Sequence, residues 1–292
     1  MKMRKLYFYP VIACAMMMAG CTSSENLDNS PAANMTLSAD VETSTDAGTR
    51  MYLGNYDATN KQYDVLWEAN DKIGIWNSSS WSEFTLTGGM DKTRAQFSGT
   101  LSAVPTTYYA FYPSSILSAS TDKASFTLPS TQTYRNAGKD NQTKVLDQNM
   151  WPAYSESATQ PLPFKNLCGV MRFNVKTADA TEGTSTITGA KLIVTGAANG
   201  LCGKYTVSGY PSPVLTPVSD NTNILTLTVP ESENVDLNST AYSSLYFVVP
   251  PQTYLSKTDA SKTLELQVTV KKADNTSATY GRVFNANMYD RP

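Results

Sequence analysis

Carboxylates and thiols are the main groups with which this sequence could do chemistry, because none of its 292 residues is a histidine. Without histidine the chain cannot build a Ser-His-Asp or Cys-His nucleophile system, or a zinc site that needs an imidazole ligand. A carboxylate pair of the glycosidase type needs only acids, and Glu156 and Glu231 could supply one if they met in space. No phosphate-binding loop and no Cys-x-x-Cys pair occurs. We therefore expect a protein that is not an enzyme.

Four acids lie close together in the sequence and could suggest a calcium site: Asp57, Asp64, Glu68 and Asp71. Their spacing does not match the regular ligand positions of a calcium-binding loop. We interpret them as turn acids and as parts of solvated faces, and we expect neither a metal nor another cofactor.

Cys21 stands in a setting that predicts modification of its thiol. A basic start is followed by an apolar stretch from Leu6 to Met18 and by Ala19-Gly20 directly before Cys21. This is the order of regions in a secretory signal, and the small-Gly-Cys ending resembles the lipobox of bacterial lipoproteins. The lipobox implies that residues 1–20 are a lipoprotein signal peptide, cleaved before Cys21, whose thiol is then acylated. The alternative is a plain signal peptide with an incidental cysteine.

The charge and hydropathy of the rest of the chain limit the kinds of partner that we expect it to bind. Lys and Arg together number 23 and Asp and Glu 25, which gives a formal net charge of −2. Nucleic acid is not an expected partner, because no basic excess is available to neutralise phosphates. After the signal no apolar run approaches the roughly 20 residues that a membrane-spanning helix needs. The lipid on Cys21 would therefore be the membrane anchor.

Two further cysteines, Cys168 and Cys202, remain in the exported chain. An oxidising envelope would permit a disulfide between them, which could contribute about 3 to 4 kcal/mol to stability. Two buried thiols that behave as small hydrophobic residues are the favoured alternative.

Almost every periodic segment of the chain has a period of two residues. The segments are short, rich in Thr, Tyr and Phe, and separated by turn residues, which is typical of an all-β sandwich. We expect a flexible tether over residues 21–34, an N-terminal β-sandwich domain over 35–160 and a C-terminal one over 161–292. The expected strands are Met35–Val41, Asp64–Trp67, Lys72–Trp76, Glu83–Thr87, Ala95–Leu101, Thr107–Pro113, Ser125–Leu128, Phe164–Val175, Ile187–Thr195, Leu201–Val207, Ile224–Val229, Leu245–Val249, Leu264–Val270 and Tyr280–Phe284.

Aromatic residues raise the possibility of a sugar-stacking platform. Trp67 and Trp76 fall within expected strands, where such rings usually fill a core. Trp81 follows Asn77-Ser78-Ser79-Ser80, a predicted hairpin loop, and is the best candidate for an exposed ring. A surface protein that binds glycans through Trp81 is therefore the alternative function.

An ordered set of segments resembles the fimbrillin (type V pilin) family of Bacteroidia. The similarity runs from the lipobox to about residue 285, and no single motif in it is specific. The segments that carry it are Thr49-Arg50, Val65–Trp76, Ala95–Gly99, Tyr109–Pro113 and Pro163–Phe173.

The resemblance implies two tandem transthyretin-like β-sandwich domains of the Greek-key type. It also implies a lipid-anchored protein of the cell outer membrane that acts in surface pili and cell adhesion. In some members a trypsin-like protease cuts after an arginine, which here would separate Arg50 from Met51 and remove the strand Met35–Val41. The vacated groove would then accept a strand from another pilin subunit by β-strand addition.

Two points stay open at this stage. Arg50 could be an ordinary surface arginine and Met35–Val41 a permanent edge strand. Polymerising members also usually carry further C-terminal strands, whereas here Tyr280–Phe284 is followed only by Asn285–Pro292. The subunit could therefore be a stalk, anchor, accessory or tip component, with a possible host or glycan ligand, or it could fail to polymerise.

Overall fold

Alternating apolar residues form β-strands along most of the chain, as expected for an all-β protein. The computed structural model describes residues 33–41, 52–57, 62–118, 123–135, 152–178, 185–256 and 258–285. Within these ranges the helical segments are short 3-10 turns, such as Ser114–Ile116 and Glu231–Glu233. Cys21, Arg50 and Met51 lie outside the described residues.

The first half of the chain supplies eleven strands. They are β1 (Ala33–Val41), β2 (Tyr52–Asp57), β3 (Gln62–Leu66), β4 (Lys72–Trp76), β5 (Trp81–Gly88), β6 (Arg94–Leu101), β7 (Tyr108–Tyr112), β8 (Ser125–Leu128), β9 (Thr131–Thr133), β10 (Ala153–Ser157) and β11 (Leu162–Asn166).

Seven of these strands close into a barrel in the order β1-β11-β10-β7-β4-β5-β6, and β6 returns to β1. Neighbouring strands are antiparallel except for β1 and β11, which run parallel. The β2–β3 hairpin forms a separate two-stranded sheet. Inward-facing residues of the barrel form a buried cluster, the barrel core, which includes Leu37, Trp67, Phe84, Phe97 and Phe164.

The second half supplies nine more strands. They are β12 (Gly169–Val175), β13 (Ser185–Thr195), β14 (Cys202–Ser208), β15 (Val214–Thr222), β16 (Ile224–Thr228), β17 (Asp236–Leu237), β18 (Ser243–Val249), β19 (Thr263–Lys271) and β20 (Ser277–Phe284).

Three sheets surround the second core. Their strand orders are β12-β18, β20-β19-β13-β16-β9 and β15-β14-β8, and β17 attaches to β13. The second core contains Phe126, Leu192, Tyr205, Leu227 and Phe247 among its fully buried side chains. Strands β8 and β9 belong here although they precede β10 and β11 of the barrel in sequence.

Two cores are thus present, but the chain is interleaved between them. The expected boundary between residues 160 and 161 falls between β10 and β11, which pair with each other in the barrel. The chain passes from the barrel to the second core at Leu167 and Cys168, both of which belong to the second core. Residues Ala32–Pro292 form one compact unit. A boundary after residue 160 therefore does not separate the strands of the barrel from the strands around the second core.

One expected strand is divided in the structure, and five strands were not expected: β2, β9, β10, β15 and β17. The expected strand Phe164–Val175 is two strands, because Leu167 and Cys168 turn from one core into the other. Strand β10 was missed because its buried Ser155 hides the apolar alternation. Strand β15 was missed because it contains Pro217, which is tolerated since β15 is an edge strand that pairs only with β14 among the described strands.

Candidate functional site

Strand β1 closes the barrel between β6 and β11. Its antiparallel ladder with β6 runs from the pair Ala33 and Leu101 to the pair Asp40 and Arg94. Its parallel ladder with β11 covers only its last three residues, Ala39 to Val41. Over those residues β1 has a neighbour on each side, so an edge strand does not describe them.

The inner face of β1 forms part of the barrel core. Leu37 and Ala39 are 0% exposed and Val41 is 3% exposed, while Met35 is partly buried. Burying a leucine or valine side chain contributes about 1.5 to 3 kcal/mol. Removal of β1 would therefore expose an apolar slot, the β1 slot, bounded by the backbone edges of β6 and β11.

Polar contacts on the outer face of β1 are exposed to solvent. Arg94 donates to both carboxylate oxygens of Asp40 at 2.5 Å, and this hydrogen bonding raises the pKa of Arg94. The Ser38 backbone N–H donates to Oε1 of Gln160 at 2.8 Å. Exposed ion pairs contribute little to stability, since water competes for both partners. The inner apolar face is therefore the main attachment of β1.

The wall of the β1 slot is a rigid aromatic cluster around Trp67. The Trp67 ring is fully buried and meets the rings of Phe97, Tyr112 and Phe164 edge to face, with centroids 4.8, 5.6 and 5.6 Å away. Phe97 is the ladder partner of Leu37. Edge-to-face contacts add about 0.5 to 1.5 kcal/mol beyond burial and help to hold these rings against one another.

A buried polar group supports this cluster from the turn between β3 and β4. Asp71 accepts hydrogen bonds from the Glu68 backbone N–H and from the Tyr112 hydroxyl, each at 2.7 Å. Arg135 donates to both oxygens of Glu68 at 2.9 and 3.0 Å. The interpretation of Glu68 and Asp71 as solvated acids is wrong, because both are 4% exposed and their charges are satisfied internally. No cluster of three or more potential metal ligands occurs among the described residues.

Trp81 is half-buried and is not the exposed loop ring that we expected. It is the first residue of β5 and pairs across the hairpin with Trp76, whose ring centroid is 5.7 Å away. A Cβ atom at Gly74 would lie 3.4 Å from the Trp81 ring and 2.9 Å from Leu117. The absence of a side chain at Gly74 thus lets Trp81 lie on the sheet, and this was the signal in the sequence that we missed.

Cys168 and Cys202 are free, buried thiols, as the favoured interpretation predicted. Burial raises the pKa of the Cys168 thiol. Burial also raises the pKa of the Cys202 thiol, although hydrogen bonds with Thr222 partly oppose this increase. Both cysteines belong to the second core, where they pack as small hydrophobic residues.

Glu156 and Glu231 lie in different parts of the fold. Glu156 is on barrel strand β10 opposite Tyr109. Glu231 is in a turn beside the second core, where its exposed carboxylate lies 3.8 Å from the ammonium group of Lys271. The structure therefore does not bring these two carboxylates together as a pair.

No protein-family model matches this chain, and no curated protein is similar to it. In the part of the chain that the structure describes, we also find no helix of the length and hydropathy needed to cross a membrane. The function is therefore inferred from the fold and from the β1 slot.

Proposed function

We propose that this chain is a non-catalytic, fimbrillin-like surface lipoprotein that serves as a structural, anchor or accessory subunit of a type V pilus. One observation carries the proposal: β1 is a separate strand that closes a barrel and buries Leu37, Ala39 and Val41. It precedes Arg50, the expected cleavage site, in the sequence. The proposal includes two transthyretin-like β domains, one around each core, the first of them closed into a barrel.

Exchange of β1 would follow the rules of β-strand addition. A donor strand from another subunit would take the main-chain hydrogen bonds of β1 with β6 and β11, and its alternate side chains would enter the core. Position 39 needs an apolar side chain, because Ala39 is fully buried between its ladder partners Ala95 and Leu162. Positions 37 and 41 accept larger aliphatic side chains, as Leu37 and Val41 do now.

The lipid on Cys21 and a cut after Arg50 would together decide where the subunit resides. Both residues lie outside the described part of the chain. Cleavage would leave the lipid and β1 in one piece and release the remainder for assembly with other subunits. Without cleavage the lipid would hold the subunit on the cell outer membrane, as an anchor in adhesion requires.

Imaging of the producing cells tests this proposal. We would label cells that express the wild type or Arg50→Gln with an antibody against the mature protein and examine them by electron microscopy. We expect label on surface fibres or at their bases for the wild type, and label confined to the membrane for Arg50→Gln. Label that is absent from the cell surface in both strains would contradict the proposal.

A further inference from the structure

Around the second core, the junction between β9 and β18 is closed by a side chain rather than by a backbone ladder. Gln132 of β9 donates from Nε2 to the Val248 carbonyl at 2.8 Å and accepts from the Val248 N–H at 2.9 Å. This amide makes the two hydrogen bonds that a neighbouring strand would make with β18. Gln132 is 1% exposed, so β9 and β18 are joined without a water-filled gap.

The opposite junction, between β12 and β20, is open. Among the described strands β12 has a ladder only with β18, and β20 only with β19. The two strands meet at Phe173 and Phe284, whose ring centroids are 5.8 Å apart. Beside this contact lies a cavity of about 750 Å³, which we call the β12–β20 groove. Its volume falls within the range of sites that hold a peptide or a small ligand.

The floor and walls of the β12–β20 groove are apolar. Leu237, Leu266 and Val268 of the second core line the floor. Tyr242 and Tyr280 stand at the walls, with 62% and 44% of their surfaces exposed. An open strand edge beside exposed apolar side chains is a site where another strand can add.

The rim of the groove is cationic. Lys176 and Arg282 line it, and Arg172 lines the adjoining cavity beyond Phe284. The Lys176 ammonium lies 4.8 Å from the centroid of the Tyr242 ring, which places it over an aromatic wall. No described residue that lines either cavity is a carboxylate, although the whole chain carries a net charge of −2. The groove therefore favours an anionic occupant.

We propose that the β12–β20 groove binds an extended segment of a partner protein in which apolar side chains alternate with carboxylates. The backbone of the segment adds to the edge of β12, and its apolar side chains contact Leu266 and Val268. Its carboxylates lie on the opposite face of the added strand, where they pair with Arg172 of β12 and with Lys176, which directly follows β12. Strand β1 has the same kind of pattern within the barrel, since its apolar face is buried while Asp40 on its outer face pairs with Arg94. The groove is separate from the β1 slot and needs no cut at Arg50.

A designed peptide tests this inference on the full chain in detergent. The probe is a fluorescent, end-capped Thr-Val-Glu-Val-Thr-Val-Glu-Val-Thr, and the control peptide carries Lys in place of Glu. We expect saturable binding of the acidic peptide and binding at least tenfold weaker for the basic one. The double variant Arg172→Glu/Lys176→Glu should reverse this preference. The matched control Lys191→Glu, which changes an exposed lysine on β13, should leave the affinity unchanged.

Two further measurements identify the binding site and its occupant. Hydrogen exchange should show that the bound peptide protects amides of β12, whereas protection confined to β1, β6 and β11 would overturn the proposal. Equal binding of the two peptides, or an equal loss with Lys191→Glu, would also overturn it. Sedimentation of the free chain should show no self-association through the groove. A dimer that the acidic peptide dissociates would make a second copy the occupant and contradict our choice of partner.

Discussion

Trp67 shows how much stability a single residue can carry in this fold. It is fully buried, and its indole N–H donates to the Thr93 carbonyl at 3.1 Å. We expect Trp67→Ala to lower the free energy of unfolding by about 3 to 5 kcal/mol, because the change leaves a cavity beside three rings. Urea denaturation measures this loss. The control Trp76→Ala should cost clearly less, because Trp76 is half-buried, and equal losses would contradict the account.

The two free thiols make a second prediction at the residue scale. Cys168 and Cys202 are buried, and burial raises the pKa of each thiol, so little thiolate is present or accessible in the folded chain at pH 8. We expect a disulfide-exchange reagent to react with both thiols in denaturant and with neither over the same time in the folded chain. Rapid reaction of either thiol in the folded chain would contradict this prediction.

Glu83 gives a prediction about pH. The hydrogen bond from Lys72 at 2.7 Å and that from Ser114 at 2.9 Å hold the pKa of Glu83 below its ordinary value. Its contribution to stability is therefore present above the pKa of the unfolded chain and is lost as the pH falls through the folded pKa. Because the pair is about half exposed, we expect Glu83→Gln to remove less than about 1 kcal/mol of acid-dependent stability. Urea midpoints at pH 7 and pH 3 measure it, and a stability that rises on acidification only in the wild type would contradict the sign.

Single residues could be predicted from the sequence where one local signal was enough. The free, buried state of Cys168 and Cys202 was the favoured alternative, because nothing in the sequence indicated that the two thiols meet. The burial of Asp71 did not, because its partner Tyr112 is 41 positions away in the sequence. Trp81 was misjudged because its packing depends on a missing side chain at Gly74.

At the scale of elements, Gln132 takes the place of a strand. We expect Gln132→Met, which keeps the side-chain length, to lower the free energy of unfolding by about 1 to 3 kcal/mol, because the N–H and carbonyl of Val248 lose their buried partners. Urea denaturation provides the measurement. Gln267→Met on β19 serves as the control and should cost less, since the Gln267 amide donates to Glu265 in a partly buried setting. A neutral effect of Gln132→Met would contradict the junction between β9 and β18.

Strands in which apolar and polar residues alternate regularly could be predicted from the sequence. The strands with which they pair could not. Lys72–Trp76 was expected and observed with the same bounds, because every second residue faces the barrel core. The pairing of β9 with β16 joins Thr131 to Thr226, and nothing local in either strand specifies it. Long-range pairing of this kind depends on which core each strand enters, and the periodicity of one strand does not carry that information.

At the scale of the whole molecule, the two halves differ in how they are completed. The barrel is closed by β1, which stands apart from its neighbours in sequence. The second core is closed by Gln132 at one junction and open at the β12–β20 groove. Two β sets were predictable from the sequence, whereas the interleaving of β8 and β9 into the second set was not. The proposed removal of β1 and the proposed use of the β12–β20 groove would both let the protein join others through strands.

Replacement of β1 by an added strand tests the central claim most directly. The full chain and Arg50→Gln would be treated with limited trypsin and mixed with an isotope-labelled peptide of residues Ala33–Val41, and native mass spectrometry would report what is bound. We expect the cut wild type to exchange its own strand for one labelled peptide, and a peptide with Leu37→Asp to fail to exchange. We expect Arg50→Gln to retain its own strand. A wild type that is cut after Arg50 and still takes up no labelled peptide would contradict the account.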